Sequence, residues 1–311
     1  MSMLRTVKPK NARVKRALEK REPQLIENEK TAIFVRGQNT SQRVRDCMKD
    51  LYALKRPLAI NFSHKNDVHP FDDTSSLEFF ARKNDASLLI TGLHSKKRPH
   101  DLVLTRMFDG RVLDMLELGV EGFRAMSDVP SVKSSLGARP LIVFHSDLFD
   151  THPSYQLLKS FFLDIYNGHS LSELPLTSIE HVISITASPL PSSITTTSEA
   201  ASQNPALIHF RVYTIKLSSS GTKIPEMQLT EMGPSIDFTI RRTKEAEDEM
   251  MKMALKRPKI DKKDVESGLG KKRKNIETDE MGDKVGRIHL DKQDLSKLQS
   301  RKMKGLKKSR G

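Results

Sequence analysis

Apolar and polar residues follow two rhythms along this chain, and the changes of rhythm mark its elements. Residues 31–35 (TAIFV) are β-branched and aromatic and stop at Gly37, which predicts a strand. Over 41–54 the period becomes helical: Val44, Met48, Leu51 and Leu54 share one face, and Ser41 stands at the cap. A short strand follows at 57–62 (PLAINF). The next helix opens near Ser75, where Ser75 and Glu78 have capping-box spacing. It turns Leu77 and Phe80 inward and stops near Asn84. Three strands come next, at 86–91, 101–108 and 111–118. The last two are joined by Asp109-Gly110, the dipeptide of a type I′ hairpin.

The same succession then returns in shorter form. Residues 140–145 (PLIVFH) read as a buried strand, 154–166 as an amphipathic helix with Gly168 just past its end, and 181–187 as a strand. Residues 188–205 are rich in Pro, Ser and Thr and read as an exposed loop. Alternation is clearest at 207–217 (LIHFRVYTIKL). Ser219-Ser220-Gly221 makes a turn, and strands at 225–230 and 235–242 complete an antiparallel set. Residues 244–257 predict a charged helix carrying Met250, Met251, Met253 and Leu255. Strands and helices mix without strict alternation, so the expected fold class is α/β with a mixed sheet, not a doubly wound parallel one. The order of elements suggests two similar halves, divided near 125–140. The expected organisation is therefore a basic arm over 1–30, a body over 31–243, the charged helix, and a basic flexible extension over 258–311 that is poor in aromatics. Val14, Leu18 and Leu25 suggest a short helix in the arm.

Charge sharpens this division. The net formal charge is +14, and nearly all of it lies at the two ends. Residues 1–30 hold nine Lys/Arg against four acidic residues, residues 246–311 hold twenty against twelve, and the stretch between holds twenty-four against twenty-three. After Asp294 no acidic residue occurs, while Lys297, Arg301, Lys302, Lys304, Lys307, Lys308 and Arg310 follow. A neutral body with cationic extensions suits a platform that meets a polyanion, and such binding weakens steeply with salt. An apolar fraction of 36% is below the roughly 45–50% of compact chains, as extensions without a core require. One cysteine, Cys47, allows no internal disulfide and no cysteine zinc site, which fits a reducing compartment. The opening residues hold no apolar run, so no secretory signal is expected there, and the sequons at Asn39 and Asn61 carry no weight. No stretch approaches the roughly 18 apolar residues of a spanning helix, so no membrane partner is expected. Cytosol or nucleus is the expected place, and the basic clusters lean to the nucleus.

Catalytic chemistry finds little support. There is no GxGxxG, no GxxxxGK[ST] and no GxSxG. Cys47 lies mid-helix beside Met48 and reads as a packed residue. The pairs His64/His69 and His94/His100 lack helical metal spacing, so no metal or cofactor is expected. Asp72-Asp73 precede a helix and serve its N-terminus. Asp114 and Glu117 fall on opposite faces of their strand and do not form an acid–base pair. The basic positions of the body are more suggestive. Lys96, Lys97 and Arg98 sit in a loop between strands, with Arg106 on the strand that follows. Arg241-Arg242 end the last strand, where alternation sends one inward and one outward. With four Tyr and no Trp, base stacking is a weak theme, and recognition through backbone and shape is favoured. The candidate RNA contacts are thus Lys96, Lys97, Arg98, Arg106, Arg241 and Arg242 in the body, and Lys302, Lys304, Lys307 and Lys308 in the extension.

Several blocks resemble one family. TAIFVRG (31–37), LEFFARKNDASL (77–88), HSKKRPHDLVLTRMFDG (94–110), RPLIVF (139–144) and EMGPSIDFTIRR (231–242) resemble the Brix-domain family. The likeness covers roughly 28–245 and the character of both ends. It implies an α/β fold of two similar halves, each like the anticodon-binding domain of one class of aminoacyl-tRNA synthetases. It also implies a non-enzymatic nucleolar assembly factor. Such a factor pairs with a regulator of ribosome synthesis 1-like protein. It brings 5S rRNA and the 5S-associated ribosomal proteins into the precursor of the large subunit, and contacts large-subunit precursor rRNA. Where the family carries a Lys-Lys-Ser-Gly-like turn, this chain has Leu217-Ser218-Ser219-Ser220-Gly221, so lysine contacts at that turn are not expected. The alternative is a protein-only scaffold whose extensions serve import and solubility.

Overall fold

One sheet of ten strands carries the body, and its strand order displays the two halves. The structure, a computed structural model, describes residues 10–14, 29–166, 179–188, 206–221 and 225–256, with short strands at 276–278 and 284–286. The first half comprises β1 (Ala32–Gly37), α1 (Gln42–Lys55), β2 (Ala59–Asn66), α2 (Ser75–Asn84), β3 (Leu88–Leu93), β4 (Asp101–Phe108) and β5 (Arg111–Arg124). The second comprises β6 (Leu141–His145), α3 (Leu148–Thr151), α4 (Pro153–Ile165), β7 (His181–Ala187), β8 (Ile208–Ser218), β9 (Glu226–Glu231) and β10 (Ser235–Lys244). The order across the sheet is β2-β1-β3-β4-β5-β10-β8-β7-β6, with β9 paired to β8. From the two sides inward, β1-β3-β4-β5 is matched by β6-β7-β8-β10. In each series the outer pair is parallel and the inner pairs antiparallel, and the halves meet where β5 runs antiparallel to β10. The parallel pairs need helical crossovers, which α1 with α2 and α4 supply.

Both faces of the first half are covered. α1 and α4 lie on one side of the sheet. There Val44, Met48, Leu51, Leu158, Phe161 and Phe162 pack on Phe34, Ile90, Leu104, Leu118, Phe210 and Phe238. Phe162 stacks on Phe210 at 5.5 Å, and each fully buried ring is worth about 1.5–3 kcal/mol. On the other side α2 sets Leu77 and Ala81 against Ile33, Val35 and Leu89. That other face of the second half carries Ser184, Thr186, His209, Arg211, Asp237 and Thr239, all half-buried and polar.

Local signals translate with instructive exceptions. Ser41 caps α1, its side chain accepting from Val44 N, as the sequence predicts. The hairpin at Asp109-Gly110 has φ of 50° and 71°, the two left-handed residues of a type I′ turn. Ser75 is not the cap of α2. It lies inside the first turn, and the Asp73 carboxylate accepts from its backbone N at 2.9 Å and its hydroxyl at 2.7 Å. A carboxylate at that place also meets the positive end of the helix dipole. β5 runs to Arg124, beyond the expected 118, through Gly119 and Gly122. β6 is half-buried, because it ends the sheet. The charged helix is shorter than its signal, α5 (Asp248–Leu255), and buries no residue.

By itself, the unit formed by Pro258–Gly311 with Pro23–Leu25 has one described feature, an antiparallel pair of β11 (Ile276–Thr278) and β12 (Lys284–Gly286). Val14 belongs to a described turn whose start Asn11 caps at 2.8 Å, while Leu18 and Leu25 lie outside the described residues.

Candidate nucleic-acid interface

The turn between β3 and β4 is fastened at its base and basic at its tip. Ser95 N donates to Arg98 O at 3.0 Å, and Arg98 N donates to Ser95 Oγ at 3.0 Å, which closes the turn. His100 N donates to His94 Nδ1 at 3.2 Å, the two rings lie 5.1 Å apart, and His100 Nδ1 pairs with the Ser41 hydroxyl at 2.8 Å. His100 adopts φ of 55°, the bend that returns the chain to β4. Partial burial, then the nearby cations Arg43, His94 and Arg241, hold the His100 pKa below its ordinary value. Lys96 and Lys97 stand exposed on this platform.

Beneath it lies an ion cluster built by register. Asp101 faces Gly119 across β4 and β5, and alternation puts Glu117 on that same face. Asp101 is 5% exposed and Glu117 is fully buried. β10 pairs Ile240 with Leu118 and Thr243 with Leu116, so both Arg241 and Arg242 stand opposite the single Glu117. This is a β-bulge, and it breaks alternation. The expectation that one arginine points in and the other out therefore fails, since both turn to the carboxylates. Arg241 pairs with Asp101, reaches Glu121 at 3.5 Å, and donates to Pro99 O at 2.8 Å. Arg242 pairs with Glu117 and lies 4.0 Å from the Phe71 ring centre. Arg98 Nε comes within 3.6 Å of Glu117 Oε1. Gly119 makes the room, because a Cβ there would lie 2.5 Å from the Arg241 guanidinium. Burial first, then the Glu117 charge, push the Asp101 pKa up to about 7 against the pull of Arg241.

Arg106 does not join this corner. Its side chain is 9% exposed and lies on the opposite face, with Nε 2.8 Å from Asp114 and a terminal nitrogen 2.8 Å from Asp164. The guanidinium also covers the Phe161 ring at 4.5 Å. It is an internal strut between β4, β5 and α4, without an open face for a phosphate. Lys302, Lys304, Lys307 and Lys308 lie outside the described residues.

Two groups were not legible as part of this site. Arg43, exposed on the first turn of α1, donates to Glu121 O at 3.1 Å, a contact spanning 78 residues. Glu117 shares a face with Asp101 of the neighbouring strand and is met there by Arg242 and Arg98, none of which its own strand could show. Another basic hollow, of about 160 Å³, includes Lys55, Arg56 and Arg139. Glu29 lines it too and pairs with Arg139 at 2.7 Å, so the hollow is not purely cationic. Among the described residues no group of three or more His, Cys, Asp or Glu is placed to hold a metal ion, and no helix is long and apolar enough to cross a membrane.

Comparison with known families assigns this mixed sheet of two matched halves to a class. The Brix domain model matches residues 37–242, and the chain belongs to the Brix-domain family. Along nearly its whole length it is similar to a ribosome production factor 2 homolog of Schizosaccharomyces pombe, with 47% identity over 99% of this chain and 92% of that protein. The ribosome biogenesis protein RPF2 of Saccharomyces cerevisiae is 44% identical over 98% of this chain and 86% of its own length. A ribosome production factor 2 homolog of Homo sapiens is 44% identical over 91% and 85%.

Proposed function

We propose that this chain is a non-enzymatic ribosome-assembly factor of the nucleolus that holds rRNA on its basic corner and extensions. In this reading it helps bring 5S rRNA, with the 5S-associated ribosomal proteins, into the precursor of the large subunit, alongside a regulator of ribosome synthesis 1-like protein. Relatives named as ribosome production and biogenesis factors support the process. The RNA contact rests on one observation: Lys96 and Lys97 project from a turn that hydrogen bonds and arginines hold rigid. Cations on a fixed scaffold meet phosphates with little ordering cost. Support for a protein partner comes from β9, which exposes Met227 and Leu229, 61% and 57% accessible, on a strand that among the described residues pairs with β8 alone.

The test is binding of a 5S rRNA transcript across a salt series. The substitution Lys96→Glu with Lys97→Glu should lower the log–log salt slope by roughly 1.4–1.8, since each lost phosphate contact is worth about 0.7–0.9. An unchanged slope would refute RNA contact at this corner and favour the protein-only scaffold.

A further inference from the structure

We propose that the outer ridge of α1 continues the basic corner, and that Arg45, Lys49 and Arg56 on it form a track for the backbone of the same RNA. This rests on the RNA reading and extends it to residues the corner does not include.

Charge is concentrated on this helix. Residues 41–56 hold five Lys/Arg against two Asp, in a body that holds twenty-four against twenty-three. α1 buries Val44, Cys47, Met48, Leu51 and Lys55. At 3.6 residues per turn, Arg45, Lys49 and the capping residue Arg56 fall within about 40° of one another, outside that buried face. Lys49 and Arg56 are exposed. Stability does not ask for this arrangement. Arg43 and Arg45 stand near the positive end of the helix, where cations are disfavoured, and no acidic residue lies in the first turn. The two acids of the helix face other donors. Asp46 accepts from the Gln42 amide at 2.8 and 2.9 Å, and Asp50 accepts from Met126 N at 2.8 Å. Among the described residues no carboxylate forms an ion pair with Arg43, Arg45, Lys49 or Arg56.

Both ends of the ridge meet further cations. At its start, Thr40 Oγ1 donates to Gly92 O at 2.8 Å and Ser41 Oγ pairs with His100 Nδ1 at 2.8 Å. These bonds fasten the helix to the turn that carries Lys96 and Lys97. The far end lies about 21 Å away, the length of fourteen helical residues. There Arg56 shares a hollow with Glu29, at the root of the arm of residues 1–30 and its nine Lys/Arg. Corner, ridge and arm thus follow one another along a single helix. Tyr52 lies under the Arg56 guanidinium, 5.9 Å from it, so the ridge offers charge to phosphates and no open ring to a base.

An ordinary solvated face predicts something else: any two exposed cations would then matter equally. The experiment measures binding of the full chain to a 5S rRNA transcript across a salt series. Lys49→Gln with Arg56→Gln should lower the log–log salt slope by roughly 1.4–1.8, as two lost phosphate contacts require. Lys65→Gln with Arg111→Gln removes two exposed cations of β2 and β5 and should leave the slope as it is. Should the double ridge variant melt early, Lys49→Gln alone gives the reading, with a loss of roughly 0.7–0.9. Hydroxyl-radical footprinting should show the ridge variant losing protection at nucleotides next to those lost in Lys96→Glu with Lys97→Glu. An unchanged slope in the ridge variants, with the corner variant still losing its own, would refute the track and leave the corner standing. Equal losses in ridge and control variants would refute it too, since net charge alone would then be at work. If the wild type binds no RNA at any salt, the RNA reading falls and the inference with it.

Discussion

At the scale of single residues, buried charge divides this protein into two kinds of site. Arg106 and Asp114 form a closed strut, both buried and both satisfied. Arg106→Met should cost about 3–5 kcal/mol in urea melts, because it leaves Asp114 charged and unpaired inside the body. Adding Asp114→Leu should recover most of that loss. A loss from the single substitution below 1 kcal/mol would show that water reaches the strut. Asp101 is the other kind, a carboxyl whose pKa burial and the Glu117 charge push up against the pull of Arg241. Its pKa is raised in the folded state, to about 7 from an ordinary value of 3.8. The folded protein therefore binds more protons than the unfolded chain between those values, and stability falls as pH rises through them. Melting temperature should decline from pH 4 to 7 more steeply in the wild type than in Asp101→Asn, and parallel curves would contradict the assignment. Sequence could name Glu117 and Arg242 but not join them to Asp101, since the three meet only through sheet register.

At the scale of elements, the readable signals were those carried by local periodicity and turn chemistry. α1 and its Ser41 cap, the Asp109-Gly110 hairpin and β7 over 181–187 stand where the pattern places them. What failed were signals that depend on a neighbouring strand. Gly119 and Gly122 weaken the strand pattern of β5, yet both lie within it, because side chains of β10 cross over them. A Cβ at Gly122 would sit 2.4 Å from Asp237, and one at Gly119 2.5 Å from Arg241. The bulge at Arg241-Arg242 is equally invisible from alternation, since it exists only relative to Glu117. The start of α2 offers a direct check on capping. Asp73 accepts two hydrogen bonds at that end, and Ser75 supplies them. Asp73→Ala should lower the melting temperature more than Ser75→Ala, because the serine variant keeps the backbone bond to the carboxylate. The reverse order would restore Ser75 as the cap.

At the scale of the whole molecule, the first legible feature was the segregation of charge, and it leads to the last prediction. The body is nearly neutral in sum, yet its arginines are not idle surface charge. Arg106, Arg241 and Arg242 are all paired to carboxylates, two of them beneath the turn on which Lys96 and Lys97 stand exposed. Shape and rigidity thus come from the body, whereas most of the uncompensated charge belongs to the extensions. The segment 258–311 falls in a compact unit separate from the one that holds the sheet, so its removal cuts no strand of the body. Deleting 258–311 should weaken binding of 5S rRNA and lower its log–log salt slope by roughly 3, if about half of the seven cations after Asp294 meet phosphates. Binding of a regulator of ribosome synthesis 1-like protein should persist, because the exposed apolar residues of β9 remain. Both are read in one pull-down with labelled RNA, at low and at high salt. Loss of the protein partner with RNA binding intact would reverse the roles of body and extension.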